Sequence, residues 1–255
     1  MAKAALGLYD QVLRRIQSNH AAVEKEVIPY SLNGGVLGNV ECPICNNTGM
    51  ITIRDGFNIK SRECQCMKVR RAKKRIKESG LCGIMEQYSL KNYKIVDPWT
   101  NWIKEKAKEY INADGGWFYV HGLPGSGKTH ICTAICSELI EKGEAVRYVI
   151  WTDIVQQLRS VINDREYDGI MRDLKNADVL YIDDFLKGNI SDADMKRAFE
   201  IINARYNLPT KKTIISSERS LEYVQQLDPA VAGRIKQRSK GFCIRTQDKD
   251  WRFQA

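Results

Sequence analysis

From Trp117 onward, short apolar runs alternate with segments of helical periodicity. Five of these runs have the length and composition of buried strands. They read WFYVHG, AVRYVIW, ADVLYIDD, TKKTIISS and GFCIRTQ. Helices are predicted between them, from Lys128, from Thr152, through the 190s and from about Leu221. Because strands that alternate with helices form a parallel sheet covered on both faces, the pattern predicts an α/β fold with a five-stranded parallel sheet.

A further helix is predicted immediately before the first strand. Asp97 and Pro98 form a good helix start, because aspartate caps free N–H groups and proline fits the first turn. The segment WTNWIKEKAKEYINA continues the helix, and Gly115 and Gly116 end it. We therefore place the start of the α/β domain between about residues 80 and 97, and predict domains over residues 1–90 and 91–255.

The beginning of the chain has an amphipathic pattern. Leu6, Tyr9, Leu13 and Ile16 recur at helical spacing with basic residues off the stripe. The pattern predicts a helix whose apolar stripe either packs on its own domain or docks on a partner, and periodicity does not distinguish the two. The N-terminal domain is accordingly predicted to be small and helical.

Composition limits the classes of protein to consider. With 255 residues, of which 43% are hydrophobic, the chain is long enough for one α/β domain and a smaller one. No apolar run approaches the roughly eighteen residues of a membrane span, and the N-terminus lacks the features of a secretory signal. These observations predict a cytoplasmic protein that does not contact a membrane.

The positive charge is concentrated in the N-terminal part of the chain. Residues 1–112 contain 19 Lys or Arg against 11 Asp or Glu, whereas residues 113–255 contain 21 against 20. This asymmetry predicts that the first part meets a polyanion or an acidic protein surface, and that the second part is an ordinary domain.

Residues 122–129 read GLPGSGKT and fit the phosphate-binding pattern G-x4-G-K-[ST]. Glycines let backbone N–H groups curl around a phosphate, and the following helix adds its dipole. Lys128 is expected as a solvent-facing ligand of the β- and γ-phosphates of ATP, and Thr129 offers a hydroxyl to Mg²⁺. The candidate nucleotide-binding residues are Gly122, Pro124, Gly125, Ser126, Gly127, Lys128, Thr129 and His130. Of these, His130 is interpreted, like His121, as a neighbour of the loop.

A buried strand that ends in carboxylates supplies the second half of a magnesium site, because Mg²⁺ prefers hard oxygen ligands. In ADVLYIDDF, Asp183 is predicted to hold hydrated Mg²⁺ and Asp184 to polarise or aim the attacking water. Paired acids after a strand also cap turns, but the phosphate loop upstream favours the catalytic interpretation. At the end of the next strand, Ser216, Ser217 and Glu218 are candidates for sensing or orienting the γ-phosphate.

Two arginines are candidates for completing a neighbouring subunit's site. Arg234 and Arg238 lie four residues apart in AGRIKQRSK, on one face of a predicted helix. Either could act as an arginine finger on the nucleotide of a neighbouring subunit. The alternative is a solvated basic face.

Two closely spaced cysteine pairs lie in the N-terminal part. Cys42 and Cys45 are spaced C-x2-C, and Cys64 and Cys66 are spaced C-x-C. Four thiolates in two such pairs match an all-cysteine structural zinc site, and unpaired core cysteines or a disulfide are the weaker alternatives in a reducing compartment. The remaining cysteines, predicted as small core residues, are Cys82, Cys132, Cys136 and Cys243.

A basic segment follows the second cysteine pair. Residues 68–77 read KVRRAKKRIK and contain seven Lys or Arg and no acid. A solvated helix is common for a charge run, but the absence of acids favours binding to single-stranded DNA phosphates or to an acidic partner. The candidate nucleic-acid-binding residues are Lys68, Arg70, Arg71, Lys73, Lys74, Arg75 and Lys77.

The order of these motifs resembles a known family. It is similar to the order found in the replicative helicase loaders of bacteria and phages, the DnaC and DnaI type of AAA+ ATPase. The motifs are, in order, the cysteine cluster, the basic helix, GLPGSGKTH, LYIDDF, TIISSERS and AGRIKQRSKGFCIRTQDKDWR. The phosphate loop and paired aspartates are shared with the transposition-helper ATPases of the IstB type. The N-terminal cysteine cluster is the feature that favours a loader.

The resemblance implies roles for particular residues. Asp183 and Asp184 correspond to the acidic pair of the magnesium site, Ser217 to a polar sensor, and Arg234 or Arg238 to an arginine that acts in trans. Many relatives have asparagine at the position of Glu218, and most AAA+ enzymes have glutamate as the second acid of the pair. The shorter aspartate suits a slow switch better than a fast motor. Arg252, in KDWR, lies where the family has a late basic residue.

The implied function is ATP-dependent loading of a replicative DNA helicase hexamer, of the DnaB or DnaC type, onto single-stranded DNA. The implied cofactors are ATP, Mg²⁺ and Zn²⁺, and the ATPase domain is expected to self-associate. One alternative is an IstB-type transposition helper that acts on duplex DNA. Another is a zinc-stabilised single-stranded DNA-binding module in which the nucleotide only stabilises the fold.

Overall fold

A computed structural model of the chain describes residues 27–29, 42–55, 58–64, 66–67, 70–71, 74, 79–81, 83–85 and 87–253. The chain divides into two compact units, residues 1–75 and 76–255. The amphipathic helix predicted from Leu6 to Ile16 and the core position predicted for Cys82 lie outside the described residues. The domain boundary predicted near residue 90 stays a prediction.

The described part of the smaller unit contains a three-stranded antiparallel sheet that the sequence analysis did not predict. Its strands are β1 (Val27–Pro29), β2 (Met50–Asp55) and β3 (Asn58–Glu63). In the hairpin of β2 and β3, Met50 pairs with Glu63 and Asp55 pairs with Asn58. Because the two cysteine pairs flank this hairpin in sequence, the pairing of its strands brings them together.

The larger unit is built on a five-stranded parallel sheet, as predicted. Its strands are β4 (Trp117–His121), β5 (Val146–Ile150), β6 (Val179–Asp183), β7 (Lys212–Ser217) and β8 (Cys243–Arg245). Their order across the sheet is β5-β6-β7-β4-β8. The strand that precedes the phosphate loop therefore lies between β7 and β8, and β6 is next to β7.

Seven helices connect or precede these strands within the described residues of the larger unit. They are α1 (Pro98–Asn112), α2 (Lys128–Glu141), α3 (Trp151–Ser160), α4 (Asp164–Asn176), α5 (Asp192–Tyr206), α6 (Leu221–Leu227) and α7 (Pro229–Arg238). The predicted cap of α1 is confirmed, because the Asp97 carboxylate accepts a hydrogen bond of 2.7 Å from the Thr100 N–H. Two helices lie between β5 and β6 where one was predicted, since Asn163 caps a second one. Asp228 likewise caps α7 after α6 ends.

The core covers both faces of the sheet. Helix α2 packs on β5, β6 and β7, and a large apolar cluster joins the sheet to α3, α4 and α5. Trp117, Tyr119, Leu180 and Ile182 belong to that cluster and are almost completely buried. Each such side chain stabilises the fold by about 1.5–3 kcal/mol, so the strands form a rigid platform for the residues at their ends.

The cysteines of the larger unit differ in burial. Cys132 and Cys136 on α2 are fully buried, as predicted. Cys243 is exposed, and its predicted core position is wrong. Neighbouring residues of a strand point to opposite faces, and in the short edge strand β8 only Ile244 is buried.

The amino-terminal ends of β6 and β7 are held by a buried arginine. Arg205, at the end of α5, is fully buried. Its guanidinium donates to the Thr213 hydroxyl at 2.8 Å and to the backbone carbonyls of Ala177 at 2.9 Å and Lys212 at 2.5 Å. Further bonds go to the carbonyls of residues 174 and 175 at the end of α4. Burial lowers the pKa of Arg205 to about 10.

Among the residues that the structure describes, no helix combines the length and the apolar character needed to cross a membrane.

Candidate functional site

The predicted phosphate-binding and acidic residues meet at the carboxyl edge of the sheet. His121 at the end of β4 pairs with Ser217 at the end of β7, and Ile150 at the end of β5 pairs with Asp183 at the end of β6. The strand ends are therefore level. Ligands of open α/β sheets bind at this edge, and a cleft of about 340 Å³ lies here between the phosphate loop, Asp184 and Glu218.

The turn between β4 and α2 has the backbone of a phosphate-binding loop. Gly122, Gly125 and Gly127 have φ angles of 147°, 71° and 86°, values that favour glycine. A side chain at Gly122 would collide with Thr246, and one at Gly125 would collide with Asp250. Gly127 is the N-cap of α2 and supplies no side-chain cap, so the first N–H groups of the helix face the loop.

Lys128 is folded onto the loop. Its ammonium donates to the carbonyls of Gly122 at 2.9 Å and Leu123 at 2.8 Å. The side chain is buried, contrary to the expectation of a solvent-facing lysine. Burial lowers the pKa of Lys128, and the carboxylates of Glu218 and Asp184 act in the opposite direction. Because phosphate oxygens are stronger acceptors than carbonyls, the ammonium is well placed to exchange these partners for a bound phosphate.

Asp183 is a buried carboxylate surrounded by hydroxyl groups. Thr129 Oγ1 and Tyr148 OH each donate to it at 3.2 Å, and Ser216 Oγ forms a further short hydrogen bond. Two cis ligands of an octahedral Mg²⁺ ion are separated by about 3 Å, so the Thr129 and Asp183 oxygens are spaced as two such ligands would be. The oxygen chemistry and spacing of these two residues fit a hydrated magnesium ion.

Asp184 is aimed into the cleft by an unusual backbone conformation. Its φ angle is 53°, which is uncommon for a residue other than glycine, and its N–H donates to Ser216 Oγ at 3.1 Å. Asp184 Oδ2 is 2.9 Å from Lys187 Nζ, and the same ammonium lies 3.1 Å from Glu218 Oε1. The carboxylate predicted to act on water is therefore paired with a lysine that the sequence analysis did not single out.

The two serines at the end of β7 face different partners. Ser217, the predicted sensor, is buried and donates to the carbonyl of Phe185 at 2.7 Å while accepting from the Arg219 N–H at 3.0 Å. Ser216 contacts Asp183 and the Asp184 N–H. Alternation along a strand separates the two serines, and it places Ser216 on the acidic pair. The sensing role of Ser217 stays a prediction.

Aromatic side chains form one wall of the cleft. The His130 ring lies 5.0 Å from the Tyr88 ring and 5.1 Å from the Tyr93 ring. His130 Nε2 is 3.1 Å from the carbonyl of Ser89, and burial lowers the pKa of the imidazole. A neutral histidine beside Tyr88 offers a flat apolar surface of the kind on which a nucleobase stacks. Tyr88 lies outside every motif, so no pattern in the sequence pointed to it.

A C-terminal segment, residues 246–252, lies against the phosphate loop. The Thr246 hydroxyl donates to Ser126 Oγ at 2.9 Å, and the Trp251 N–H donates to the carbonyl of Gly125 at 3.0 Å. These contacts explain why bulky side chains are excluded from the glycine positions of the loop. They join residues far apart in sequence, which no local pattern predicts.

Arg252 lines the cleft from this segment. Its guanidinium forms an ion pair of 2.6 Å with Asp250, which lowers the pKa of the Asp250 carboxyl. The late basic residue that the family resemblance implied is thus close to the site and has a carboxylate partner.

The two finger candidates both have contacts within the larger unit. The Arg234 guanidinium lies over the rings of Phe199 at 5.1 Å and Tyr206 at 5.7 Å. Arg238 Nη2 donates to the carbonyl of Leu208 at 3.3 Å. Both side chains are half-buried, and a role for either in a neighbouring subunit stays a prediction.

In the smaller unit, the four predicted zinc ligands converge. The sulfur atoms of Cys42, Cys45, Cys64 and Cys66 all lie within 4.8 Å of one another. Cys42 and Cys64 sulfurs are 3.8 Å apart, and Cys45 and Cys66 sulfurs are 3.5 Å apart. Four sulfurs at 2.3 Å from a tetrahedral zinc ion would be about 3.8 Å apart, so the cluster has the size that zinc requires. All four cysteines are free of disulfides.

The thiols of the cluster have different proton affinities. Burial raises the pKa of Cys64 and of Cys66. At Cys45 the effect of burial is outweighed by hydrogen bonds, first that with the Gly49 backbone, and the pKa falls to about 7. A bound divalent cation would favour all four thiolates together.

A neighbouring arginine supports the cluster. Arg70 Nη2 donates to Asn47 Oδ1 at 3.0 Å, and the same oxygen accepts the Cys42 N–H at 2.9 Å. Burial raises the pKa of Cys66, and a hydrogen bond from Arg70 acts against it. Arg70 therefore orients a ligand-bearing turn and places positive charge beside the thiolates, as residues around metal ligands commonly do.

The rest of the basic segment is only partly described. Arg71 pairs with Glu63 at the end of β3, and Lys74 is exposed. Lys68, Lys73, Arg75 and Lys77 lie outside the described residues. DNA binding by this segment stays a prediction, and the contact with Glu63 shows that Arg71 also has a structural partner.

The family described as "IstB-like ATP binding protein" matches residues 86–240, which is more than half of the sequence. The chain belongs to this family. It is an AAA+ protein of the IstB and DnaC type, and the family resemblance inferred from the motifs is confirmed.

Among known proteins, the chain is 27% identical over 221 residues to the phage-like element PBSX protein XkdC of Bacillus subtilis, covering 80% of this chain and 81% of that protein. It is 25% identical over 180 residues to the replicative helicase loader DnaC of Escherichia coli, covering 69% and 72%. A crystal structure of the DnaC helicase loader has a TM-score of 0.52 to the chain at 22% identity, covering 64% of this chain and 97% of that one.

The family match separates two groups of residues. The phosphate loop, the acidic pair, Lys187 and both finger candidates lie inside residues 86–240. The cysteine cluster, the basic segment and the C-terminal segment lie outside them. Family membership therefore establishes an ATP-binding protein, and the outer segments lie beyond the family match.

Proposed function

We propose that the protein is an ATPase that loads a replicative DNA helicase onto single-stranded DNA. The proposal rests on one observation: Lys128, Thr129, Asp183 and Asp184 meet at one cleft. The chain that contains them is related to a named helicase loader over 69% of its length. The cysteine cluster and basic segment ahead of this domain give the chain a second, positively charged part. Together they describe an ATP-controlled adaptor between two macromolecules.

The geometry supports hydrolysis of ATP by positioning and electrostatics. When bound, Mg²⁺ would neutralise charge on the β- and γ-phosphate oxygens, and Thr129 and Asp183 would hold it. Lys128 would bind the same phosphates. Asp184 would orient a water whose oxygen bonds to the terminal phosphorus while the bond to the bridging oxygen breaks. The products are ADP and phosphate, and the water's proton passes through Asp184 to solvent.

The direct test measures ATP turnover alone, with single-stranded DNA and with the cognate replicative helicase. We expect slow basal turnover that single-stranded DNA or the helicase stimulates, and ATP-dependent retention of the helicase on immobilised single strands. The Asp184→Asn variant is the control for contaminating ATPase. Turnover that neither partner changes, with no helicase capture, would contradict the loader function.

Self-association through the ATPase domain belongs to this proposal. If Arg234 or Arg238 acts on a neighbouring subunit's nucleotide, mixing an Arg238→Ala or Arg234→Ala variant with the Asp184→Asn variant creates some interfaces with both intact halves. We expect partial recovery of turnover in one of the two mixtures. Absence of recovery at concentrations where the protein oligomerises would leave both arginines with structural roles only.

Zinc in the cysteine cluster is the second part of the proposal. We expect one zinc ion per chain in protein purified without chelator, held by Cys42, Cys45, Cys64 and Cys66. By binding cysteines from both turns, zinc would hold the turn before β2 next to the turn after β3. Metal analysis and thiol titration test this: well under one equivalent of zinc with all four thiols reactive would refute it.

Single-stranded DNA binding by the basic segment is the third part. Lys73, Lys74 and Lys77 replaced by Gln should flatten the log-log salt dependence of DNA affinity by about two units, at roughly 0.7 per phosphate. Arg70 and Arg71 are left intact because they contact Asn47 and Glu63. The matched control replaces the α1 lysines 104, 106 and 108 by Gln. Equal effects in the two triples would place DNA binding elsewhere.

A transposition helper is the second candidate, because the matching family is named for IstB-like proteins. Such a helper would be stimulated by duplex DNA and would recruit a transposase. Comparing stimulation by single-stranded and duplex DNA of equal length separates the two functions. A preference for duplex DNA, with no capture of helicase, would favour the helper.

A further inference from the structure

Lys187 lies at the cleft and has no role assigned by the family motifs. Its ammonium bonds Asp184 Oδ2 at 2.9 Å and Glu218 Oε1 at 3.1 Å. The side chain also lines the cleft together with Lys128 and Thr129. It therefore joins the carboxylate predicted to act on water to the end of the next strand.

The backbone around Lys187 fixes its position. Asp184 and Leu186 have φ angles of 53° and 57°, in the left-handed region that residues other than glycine uncommonly adopt. Phe185 and Leu186 are fully buried, and the Phe185 N–H donates to the carbonyl of Ser216 at 2.8 Å. Because these two apolar side chains anchor the turn in the core, Lys187 is held over the cleft while its ammonium remains partly exposed.

The charges around Lys187 suit a residue that exchanges partners. Asp183, Asp184 and Glu218 bring three carboxylates to a cleft that must accept a polyanion. The Lys128 ammonium donates to loop carbonyls, and Arg252 is paired with Asp250. Lys187 thus contacts two of the three carboxylates, and its single positive charge balances one of their two negative charges. A terminal phosphate entering between them offers oxygens that carry more negative charge than either carboxylate alone.

We propose that Lys187 is a ligand of the terminal phosphate of ATP and that this contact controls Asp184. In the paired arrangement, the ammonium occupies Oδ2 of Asp184 and so competes with water for that carboxylate. Moving the ammonium to the terminal phosphate frees Oδ2 and places positive charge where negative charge develops as the bond to the bridging oxygen breaks. The inference rests on the proposed ATPase function.

The experiment compares binding of ADP and of a non-hydrolysable ATP analogue, both with Mg²⁺, to the wild type and to the Lys187→Met variant. ADP lacks the phosphate that Lys187 would contact. We expect the variant to bind the ATP analogue about 10-fold more weakly and ADP almost unchanged, as loss of one hydrogen bond to a charged group predicts. The turnover number should fall by about 10-fold or more, because charge stabilisation in the transition state is lost.

Two further variants separate this role from a structural one. Lys187→Arg keeps the charge and should retain most of the preference for the ATP analogue. Lys211→Met makes the same substitution at the other end of the same two strands, where Lys211 pairs with Asp178. It should leave both nucleotide affinities and turnover unchanged, and a thermal unfolding scan of both Met variants accounts for any general loss of stability.

The outcomes distinguish the inference from the function on which it depends. Equal weakening of ADP and the ATP analogue in Lys187→Met would overturn the phosphate contact. Faster turnover in that variant, with an unchanged affinity ratio, would make Lys187 a lock on Asp184 and not a phosphate ligand. A wild type that hydrolyses ATP but binds both nucleotides equally would also overturn the inference. A wild type that binds neither nucleotide would refute the ATPase function itself.

Discussion

The two ends of the central strands β6 and β7 both carry polar clusters, and the clusters are built differently. At the amino-terminal ends, Arg205 is fully buried and donates mainly to backbone carbonyls. At the carboxyl ends, Asp183, Asp184 and Lys187 bond mainly to other side chains beside an open cleft. Backbone acceptors are fixed by the fold, whereas side chains can exchange partners when a ligand arrives.

The difference separates a structural cluster from a functional one within a single sheet. A buried arginine whose hydrogen bonds go to the backbone stabilises one arrangement of α4, α5 and β7. Lysines and carboxylates that face one another across a cleft can accommodate a phosphate by rearranging. The predictions below test this contrast by changing one end at a time.

The largest effect is expected at the amino-terminal end. Replacing Arg205 by Met leaves the carbonyls of Ala177 and Lys212 without their buried donor. We expect a loss of about 3–5 kcal/mol in the free energy of unfolding, measured by denaturant titration, at about 1–3 kcal/mol for each buried acceptor left unsatisfied. Arg172, exposed on α4, is the control, and its replacement by Met should change stability by less than about 0.5 kcal/mol. Equal stabilities of the two variants would refute the structural role of Arg205.

At the carboxyl end, Lys128→Ala should weaken the binding of ATP. Without the ammonium, the contacts proposed with the β- and γ-phosphates are lost, so ATP affinity should fall by about 100-fold or more. The free energy of unfolding should drop by no more than about 1–2 kcal/mol, because Lys128 donates to only two loop carbonyls. Calorimetric titration and denaturant unfolding measure both quantities. Unchanged nucleotide affinity would remove the site assignment.

Asp184→Asn should slow the hydrolysis of ATP and leave its binding nearly unchanged. Asparagine keeps the size of the side chain but is a poor proton acceptor, so turnover should fall by about 100-fold. ATP affinity should change by less than about fivefold, because Asp183 and Thr129 would still hold Mg²⁺. Single-turnover kinetics with separate binding measurements test the split. Parallel losses of affinity and turnover would mean that Asp184 helps to hold the metal.

The smallest effect is expected for Thr213→Val, which returns to the amino-terminal end. Valine has nearly the same shape and removes the hydroxyl that accepts from Arg205 Nε at 2.8 Å. We expect a loss of about 1–2 kcal/mol in unfolding free energy and unchanged ATP affinity. If Thr213→Val altered nucleotide affinity, the two ends would be coupled through β7, and the contrast between them would not hold.

The sequence predicted the larger unit well because its signals are local. Each strand contains a short apolar stretch. Asp97, the glycines of the loop and the acidic pair at the end of β6 follow from short patterns. The smaller sheet was missed because β2 and β3, MITIRD and NIKSRE, contain only four apolar residues among twelve and form no apolar run. The Asp-Gly pair at residues 55 and 56, where β2 ends, is a typical hairpin signal that could have revealed it.

The candidate site was predicted in its acids and its phosphate loop but not in its surroundings. Lys187 is one of many lysines in the sequence, and only the turn through Phe185 and Leu186 places it on Asp184. Tyr88 and Arg252 both line the cleft, although they lie near opposite ends of the larger unit's sequence. Such contacts arise from tertiary packing, which periodicity and motif spacing do not encode.

The contact of the C-terminal segment with the phosphate loop bears on how the protein is synthesised. Thr246 bonds to Ser126, 120 residues earlier, and β8 joins the sheet directly beside β4. A nascent chain therefore carries an incomplete phosphate loop until β8 and residue 246 have left the ribosome, and closing so long a segment is a late step in folding. Chains terminated before residue 246 lack the groups that complete the loop, so ATP binding would report that synthesis has passed this residue.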